Sequence, residues 1–373
     1  MKSIALVPYC PLPVNHGGKV EMWKHLDLLQ SMGECTLISA STRPVGMGWT
    51  SSAKEEIEQR GYSVRLREEL FPKLIWKQLA GLAYGTICKG LRLERAFGHA
   101  NIYHRFAFPP NFLLEHSRTA DLVVINYSYW AGLPTYCPKI IILHDLLSGL
   151  MWGDSRQETE DLRTADLIVV ISKDEEIRLR KRGITNVLWS PPLAKPSDYP
   201  LTPRIGIIGS ANKFNREGLR WLSRCGVPEG RSATIYGALA QFAEWPEVHK
   251  VRRYEDAQEP FQNCGIVLLP TALGTGVQIK AVEALAAGRA IVARTGAMRG
   301  LPAGEGAWVE VDTPEEMWAQ AELFSCDMHL REVQGRKART YYQQHLDAKK
   351  IRSDLHAAYS NLSVTNRTKQ ISL

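Results

Sequence analysis

The sequence predicts an α/β protein built from two doubly wound parallel-sheet domains. Short apolar runs alternate with helical patterns along most of the 373 residues. Most of these runs are continuous and rich in β-branched residues, which is typical of strands buried on both faces of a parallel sheet. A proline-rich break separates two blocks, and each block holds enough strand and helix material for one domain.

The strand candidates form two groups of six, one on each side of this break. Those before the break are residues 4–9, 35–40, 121–126, 139–144, 166–172 and 186–190, and those after it are residues 204–209, 233–237, 250–254, 265–270, 290–294 and 307–311. The segments between them are predicted to be helical, so that consecutive elements form repeated βαβ units.

The break is the segment SPPLAKPSDYPLTP (190–203), with five prolines in fourteen residues and no periodicity, which indicates a linker. We place the first domain at 1–195 and the second at 196–345. Residues 346–373 are predicted to form a helix that returns to the first domain and ends in a frayed polar tail. Two such sheets facing each other would leave an interdomain cleft at their strand ends, which is the predicted ligand site.

Composition excludes several classes of protein. No run approaches the ~18 apolar residues of a membrane span. The seven cysteines are scattered and never in a CxxC pair, which argues for free thiols in a reducing, cytoplasmic compartment and against structural zinc. No Asp-x-Asp motif stands in a suitable place, so we expect no metal.

The net charge of +7 favours anionic partners. Between Arg65 and Arg105, eight Lys/Arg face three Glu, and bulky apolar residues lie among them. Such a segment can lie on an anionic membrane surface, so peripheral contact at the inner face of the membrane through 65–105 is one expectation. A solvated helix pair packed on its own domain is the alternative. The diffuse charge, with no recognition motif, argues against nucleic acid.

The segment GTGVQIKAVEALAAGRAIVA (274–293) carries the most specific chemical signal. Its glycine turn lets the backbone approach a ligand, and the free N–H groups at the following helix start favour an anion. Lys280, predicted one turn into the helix, adds a positive charge. Glu283 lies close to the same face and can accept hydrogen bonds from sugar hydroxyls. Phosphate and ribose together suggest a nucleotide, although an ordinary βαβ turn with a surface lysine and glutamate remains open.

This segment resembles the donor-nucleotide motif of retaining GT-B glycosyltransferases of the family 4 type. The family places a glycine-rich turn, a lysine and the pattern E-A-[LM]-A-x-G before an apolar strand. The resemblance implies a GT-B architecture with two Rossmann-like domains. It also implies that Lys280 neutralises the donor diphosphate and serves catalysis, and that Glu283 holds the ribose. The matching residues are Gly274, Gly276, Lys280, Glu283, Ala284, Leu285, Ala286 and Gly288.

One position departs from the commoner family pattern, which has a second glutamate where this chain has Thr275. That glutamate is usually assigned to the donor sugar, so the sugar-facing role of this position is open. Backbone N–H groups of Thr275, Gly276 and Val277 are the alternative donors.

Two further matches to the family lie in the first domain. Gly17 and Gly18 follow the first strand and resemble the family's N-terminal glycine pair, which brings backbone N–H groups towards the donor phosphate or the acceptor. His144 ends the strand IIILH and resembles a histidine that contacts the donor sugar. A plain turn and a structural histidine are the alternatives.

The opening of the second domain, IGIIGSANKFNREGLRWL (205–222), resembles the family's strand, glycine loop and helix. Gly209 and Ser210 are the loop candidates, and Ser210 stands where the family more usually has arginine. Lys213 and Arg216 are both candidates for the phosphate-binding charge, and the sequence does not choose between them.

The resemblance implies a retaining hexosyltransferase that uses a UDP- or GDP-sugar, needs no other cofactor, and builds cell-surface glycan on a saccharide or lipid-linked acceptor. Lipopolysaccharide, capsule and exopolysaccharide are the expected products. The family is discussed as using front-face displacement, in which the leaving phosphate deprotonates the incoming hydroxyl. A GT-B-type epimerase or phosphorylase and a non-catalytic nucleotide-sugar-binding protein are alternatives.

Overall fold

A computed structural model describes most of the chain. The described residues are 1–14, 17–41, 48–70, 83, 87, 108–109, 111–146, 155–228, 232–245 and 247–371. They divide into two compact units. Unit 1 contains Met1–Ser190 and Arg352–Leu373, and unit 2 contains Pro191–Ile351.

Unit 1 is built on a seven-stranded sheet in the order β3-β2-β1-β4-β5-β6-β7. All neighbouring strands are parallel, and Leu6 of β1 pairs with Ile38 of β2 and with Ile125 of β4. The strands are β1 (Lys2–Leu6), β2 (Glu34–Ser39), β3 (Ser63–Leu66), β4 (Leu122–Asn126), β5 (Lys139–Leu143), β6 (Leu167–Val170) and β7 (Val187–Trp189). Every residue of β4 and β5 is buried, as expected for central parallel strands.

Unit 2 is built on a six-stranded parallel sheet in the order β10-β9-β8-β11-β12-β13. Its strands are β8 (Ile205–Ile208), β9 (Ala233–Tyr236), β10 (Val248–Val251), β11 (Ile266–Leu269), β12 (Ala290–Arg294) and β13 (Val309–Val311). Each of these strands contributes side chains that pack with the covering helices into one apolar core, in which Leu268, Val292 and Trp318 are buried.

The helices connect successive strands and cover the sheets. They are α1 (Gly17–Met32), α2 (Ser51–Gln59), α3 (Arg67–Leu70), α4 (Phe112–His116), α5 (Ser155–Leu162), α6 (Lys173–Lys181), α7 (Lys213–Leu222), α8 (Glu259–Asn263), α9 (Ile279–Ala286), α10 (Pro314–Cys326), α11 (Met328–His345) and α12 (Ala348–Ile371). Helix α12 packs on unit 1, where the buried Tyr359 hydroxyl lies 2.8 Å from Nδ1 of His25 in α1. No helix within the described ranges is both long and apolar enough to cross a membrane.

Strand β3 was not among the strand candidates. It is a four-residue edge strand with the alternating sequence SVRL, of which only Val64 is buried. An edge strand needs no continuous apolar run, which is why the pattern is weak. Arg67, counted in the basic segment, is buried beside Glu68, with 2.6 Å between Nη2 and Oε1, so it does not belong to an exposed surface. The rest of the membrane prediction lies almost wholly outside the described residues.

The first turn of α6 contains three acidic residues, a pattern that usually stabilises a helix start. Glu176 does pair with Arg180 at 3.0 Å. Glu175 is instead buried and accepts a hydrogen bond from the Leu146 N–H at 2.9 Å. Burial raises the pKa of Glu175 to about 8, so this carboxyl is largely neutral at pH 7 and does little for the helix dipole. Ser172 occupies the N-cap position but makes no side-chain capping bond.

The proline-rich segment is held at several points. At its first residue, the Lys24 ammonium in α1 donates to the Ser190 carbonyl at 3.1 Å. Further along, the Tyr342 hydroxyl donates to the Ala194 carbonyl at 2.6 Å. Three guanidinium groups of unit 2 then bind backbone carbonyls: Arg339 binds that of Ser197, Arg289 those of Tyr199 and Pro200, and Arg331 that of Leu201.

Candidate functional site

The sheet of unit 2 has a topological switch point between its central strands β8 and β11. From β8 the chain continues to β9 and β10 on one side, and from β11 it continues to β12 and β13 on the other. The loops that follow β8 and β11 therefore diverge at the carboxyl edge, where ligands of doubly wound sheets bind.

Lys280 on α9 reaches this switch point. Its ammonium donates to the Ile208 carbonyl at the end of β8, at 2.9 Å, and to Oδ1 of Asn215 at 3.1 Å. Burial, together with the neighbouring Arg299 charge, lowers the pKa of Lys280 to about 7. An anion bound here would favour the charged form of Lys280 and raise its pKa again.

Asn215 connects the three chain segments of the site, and sequence reasoning missed it. Its Oδ1 also accepts from the Thr271 hydroxyl after β11 at 3.1 Å, and its Nδ2 donates to the Ser210 carbonyl at 3.0 Å. Its backbone N–H is bonded to the side chain of Asn212, the N-cap of α7. The pattern N-x-x-N at this helix start is the one signal that could have pointed to it.

The glycine turn lies in front of α9 rather than inside it. The helix begins at Ile279, with Gln278 at the N-cap position. Lys280 is therefore its second residue, whereas the sequence had predicted it one turn into the helix. The Gln278 amide donates to the carbonyls of Thr271 and Ala297, at 2.8 and 2.6 Å. These two bonds fix the helix start against the strand ends on both sides. Gly288, with φ +61, follows the C-cap of the helix at the C′ position, where glycine is common.

Gly274 is a position where only glycine fits. Its φ is +125, and a Cβ there would lie 2.7 Å from Nη2 of Arg299. Gly276 also has a positive φ, of +66. Arg299 in turn donates to the carbonyls of Thr271, Ala272 and Gly296, each at 3.3 Å. The turn therefore has a second cation beside Lys280, and no local motif in the sequence pointed to Arg299.

Glu283 lies one turn beyond Lys280 on α9, and burial raises its pKa to about 7. The pKa of Tyr254 is raised, first by burial and second by the negative charge of Glu283. The Tyr254 phenol therefore lies near the Glu283 carboxyl. Tyr254 also makes an edge contact with Tyr236, with 6.1 Å between ring centroids. Sequence reasoning did not single out Tyr254.

The two alternative cations on α7 point to different neighbours. The Lys213 ammonium lies 4.8 Å from the centroid of the Phe214 ring, and that ring is 3.6 Å from the Cβ position of Gly274. The Arg216 guanidinium lies over Phe242 at 5.1 Å, on the segment after β9. Lys213 thus lies near the glycine turn, whereas Arg216 lies near Phe242 and away from that turn.

The predicted loop residues Gly209 and Ser210 directly follow β8. A Cβ on Gly209 would meet Leu239 Cδ2 at 2.9 Å and the Asn215 amide at 3.2 Å. The Ser210 hydroxyl accepts from Nδ2 of Asn215 at 3.2 Å. Thr275 and Val277 lie in the turn itself, partly exposed and buried respectively. The predicted residues of unit 2 therefore lie on the loops that follow β8 and β11 and on the helices that these loops begin, with Arg216 turned towards Phe242.

The predicted residues of unit 1 lie at the carboxyl edge of its own sheet. Gly17 and Gly18 are the first two residues of α1. His144 directly follows β5 and is buried, with Nε2 3.4 Å from Oδ1 of Asn126. Its ring stacks on Tyr127 with 4.1 Å between centroids. In the part of the chain that the structure describes, no group of three or more His, Cys, Asp or Glu side chains could hold a metal ion.

Comparison of the sequence with known protein families finds one match, and it covers the part of the chain that carries Lys280. Residues 202–324 match the family model of glycosyl transferases group 1. No curated protein sequence matches the chain significantly.

Solved structures match over almost the whole chain. HepE from Anabaena, in complex with UDP, is 13% identical with a TM-score of 0.65, over 97% of this chain and 100% of that one. A mutant of S. aureus TarM in complex with fondaparinux, alpha-GlcNAc-glycerol and UDP is 10% identical with a TM-score of 0.65, over 96% and 99%. Sucrose-phosphate synthase from Thermosynechococcus elongatus is 15% identical with a TM-score of 0.63, over 98% and 100%.

At these identities the solved structures establish the fold. The predicted GT-B architecture is confirmed by the two parallel sheets and by these structural matches. The predicted resemblance to group 1 glycosyltransferases is confirmed by the family match, which covers the unit that carries Lys280.

Proposed function

We propose that this chain, a glycosyltransferase of the GT-B type, is a retaining enzyme that moves a hexose from a nucleoside-diphosphate sugar to a saccharide or lipid-linked acceptor in cell-surface glycan synthesis. The observation that carries the proposal is the Lys280 ammonium, which is held at the switch point of unit 2 beside a positive-φ glycine turn and Arg299. Two cations and the backbone N–H groups at a helix start suit a diphosphate.

The nucleoside would extend from the diphosphate towards Glu283 and Tyr254. The Glu283 carboxylate would accept hydrogen bonds from the two ribose hydroxyls, and the Tyr254 ring would border the base. HepE and TarM are seen with UDP, and this supports a UDP-sugar as the first donor to test, ahead of a GDP-sugar.

Catalysis in this proposal is electrostatic stabilisation of the leaving group combined with positioning. The bond between the anomeric carbon and the β-phosphate oxygen breaks while the acceptor oxygen attacks from the same face. The acceptor proton passes to the leaving phosphate, which Lys280, Arg299 and Lys213 hold. His144 would orient a donor-sugar hydroxyl. Because these cations balance the phosphate charge, the reaction would need no metal.

A non-catalytic nucleotide-sugar-binding protein is the second candidate, and Thr275 favours it, because a glutamate usually stands there in the resembling family. In our proposal the backbone N–H groups of Thr275, Gly276 and Val277 take its place. A GT-B-type epimerase or phosphorylase would use the same nucleotide or phosphate site. Peripheral membrane contact through 65–105 rests on sequence charge alone.

The test begins with thermal stabilisation by UDP-, GDP-, CMP- and dTDP-sugars, followed by release of nucleoside diphosphate with candidate acceptors. We expect one donor class to raise the Tm by mass action. We expect Lys280→Met to lose both the shift and turnover, while Lys337→Met, at an exposed lysine of α11, keeps both. Binding without turnover on any acceptor would favour the second candidate, and no binding of any donor would overturn the proposal.

A further inference from the structure

We propose that the ion pair between Glu217 and Arg294 is a positioning pair for the donor site. It fixes the helix that carries Asn215, and Asn215 in turn holds the Lys280 ammonium. The inference deepens the proposed function and rests on it, because Lys280 is the group that would bind the diphosphate. Neither member of the pair was singled out from the sequence.

The pair joins two elements that lie on opposite sides of the switch point of unit 2. Glu217 lies in α7, the helix that follows β8, and Arg294 is the last residue of β12. Nη1 of Arg294 donates to both carboxylate oxygens of Glu217, at 3.1 and 3.2 Å. The side chains of Arg294 and Glu217 are only 21% and 29% exposed, so salt screens this pair less than a pair in open solvent.

Arg294 contacts α7 at a second point. Its guanidinium lies over the ring of Trp221, with 4.5 Å from Cζ to the ring centroid, and Trp221 is buried. Glu217 and Trp221 are four residues apart and therefore lie on one face of the helix. One guanidinium thus holds this face by an ion pair and by a cation–π contact, which together constrain both the position and the rotation of α7.

Between these two contacts, α7 lies directly against the backbone that leaves β11. A Cβ on Gly218 would be 2.9 Å from the carbonyl carbon and oxygen of Pro270, and 3.0 Å from Cα of Thr271. The Thr271 hydroxyl also donates to Asn215, one turn earlier in α7. The position of Asn215 therefore depends on how closely this part of α7 is held against the strand ends.

The segment that begins at Arg294 fixes the other side of the site. Its Ala297 carbonyl accepts from the Gln278 amide at the start of α9, and its Gly296 carbonyl accepts from Arg299. Arg294 therefore connects the helix that carries Asn215 to the segment that holds the start of α9.

Lys280 is bonded where these two parts meet. Its ammonium reaches from α9 to Oδ1 of Asn215 in α7, at 3.1 Å. A shift of α7 away from α9 would break this bond and release the ammonium from its place beside the glycine turn. Because the charges of Glu217 and Arg294 cancel, the pair contributes geometry to the site rather than net charge.

The test is calorimetric titration with UDP, at a temperature at which every variant is folded. The double variant Glu217→Gln/Arg294→Met removes the pair without changing the net charge. We expect it to raise the Kd for UDP about tenfold. Glu332→Gln is the matched control, because Glu332 pairs with Arg336 within α11 of the same unit, and it should bind UDP like the wild type.

The same double variant in an Asn215→Ala background shows whether the pair acts through Asn215. We expect Asn215→Ala to raise the Kd by itself, and removal of the pair then to raise it no further, because two changes on one path are not additive. Full additivity would overturn the inference. An unchanged Kd in the double variant, with a lower Tm, would do the same, since the pair would then only stabilise the fold. Failure of the wild type to bind UDP would instead contradict the proposed function.

Discussion

Donor binding should take up protons above pH 7 and release them below it. The reason is that Lys280 and Glu283 both titrate near pH 7 in the free protein, with pKa values of about 7 for each. A bound diphosphate favours the charged lysine and raises its pKa, so Lys280 gains a proton. Ribose hydroxyls that donate to Glu283 favour its ionised form and lower its pKa, so Glu283 loses one.

The magnitude follows from the two free-state pKa values. At pH 8 Lys280 is about 10% protonated and Glu283 about 90% ionised, so binding takes up about 0.8 proton net. At pH 6 Lys280 is already about 90% protonated and Glu283 about 10% ionised, so binding releases about 0.8 proton net. Near pH 7 the two effects cancel.

Calorimetric titration with UDP-glucose in buffers of different ionisation enthalpy measures directly the net number of protons that binding takes up or releases. UDP-glucose is a suitable probe because its diphosphate is a diester with no group that titrates between pH 6 and 8. Glu283→Gln should abolish the release at pH 6 and retain the uptake at pH 8, whereas Lys337→Met should match the wild type. Proton exchange near zero at both pH values, or of one sign throughout, would refute the assigned roles.

Three further predictions concern single side chains. Gly274→Ala should cost about 1–3 kcal/mol of backbone strain and weaken donor binding, because φ is +125 and the new Cβ meets Arg299; equal donor affinity would contradict this. Asn215→Ala should lower the free energy of unfolding by about 1–3 kcal/mol, because Lys280 loses a buried partner, as measured by urea denaturation. For Glu175, the folded carboxyl stays protonated up to about pH 8 while the unfolded one ionises near its ordinary pKa, so the wild type loses stability as pH rises through that window. Glu175→Gln should remove up to about 5 kcal/mol of that loss, and equal pH profiles of wild type and variant would refute it.

The parallel sheets and the Lys280 motif could be predicted because their signals are local in the chain. Strands such as β4 and β5 are continuous apolar runs, and the lysine and glutamate of α9 stand at a fixed spacing in one helix. Strand β3 escaped because an edge strand with one buried residue has no apolar run to detect.

Asn215, Arg299 and Tyr254 could not be found in this way. Asn215 and Arg299 lie far in sequence from the turn that they support, and only the sheet order brings them to it. The start of α9 was placed too early for a related reason. Gln278 bonds the carbonyls of Thr271 and Ala297, and these tertiary contacts, rather than helix propensity, decide where the helix begins.

The anchoring of the proline-rich segment changes how that segment should behave mechanically. Ser190 is bonded to α1, Ala194 to α11, and the carbonyls from Ser197 to Leu201 to three arginines. The pair Pro191-Pro192 lies between the bonded residues Ser190 and Ala194, and the φ angles of both prolines are fixed by their rings. The segment itself should therefore be stiff, and lengthening it with glycine and serine would reduce its stiffness more than its composition suggests.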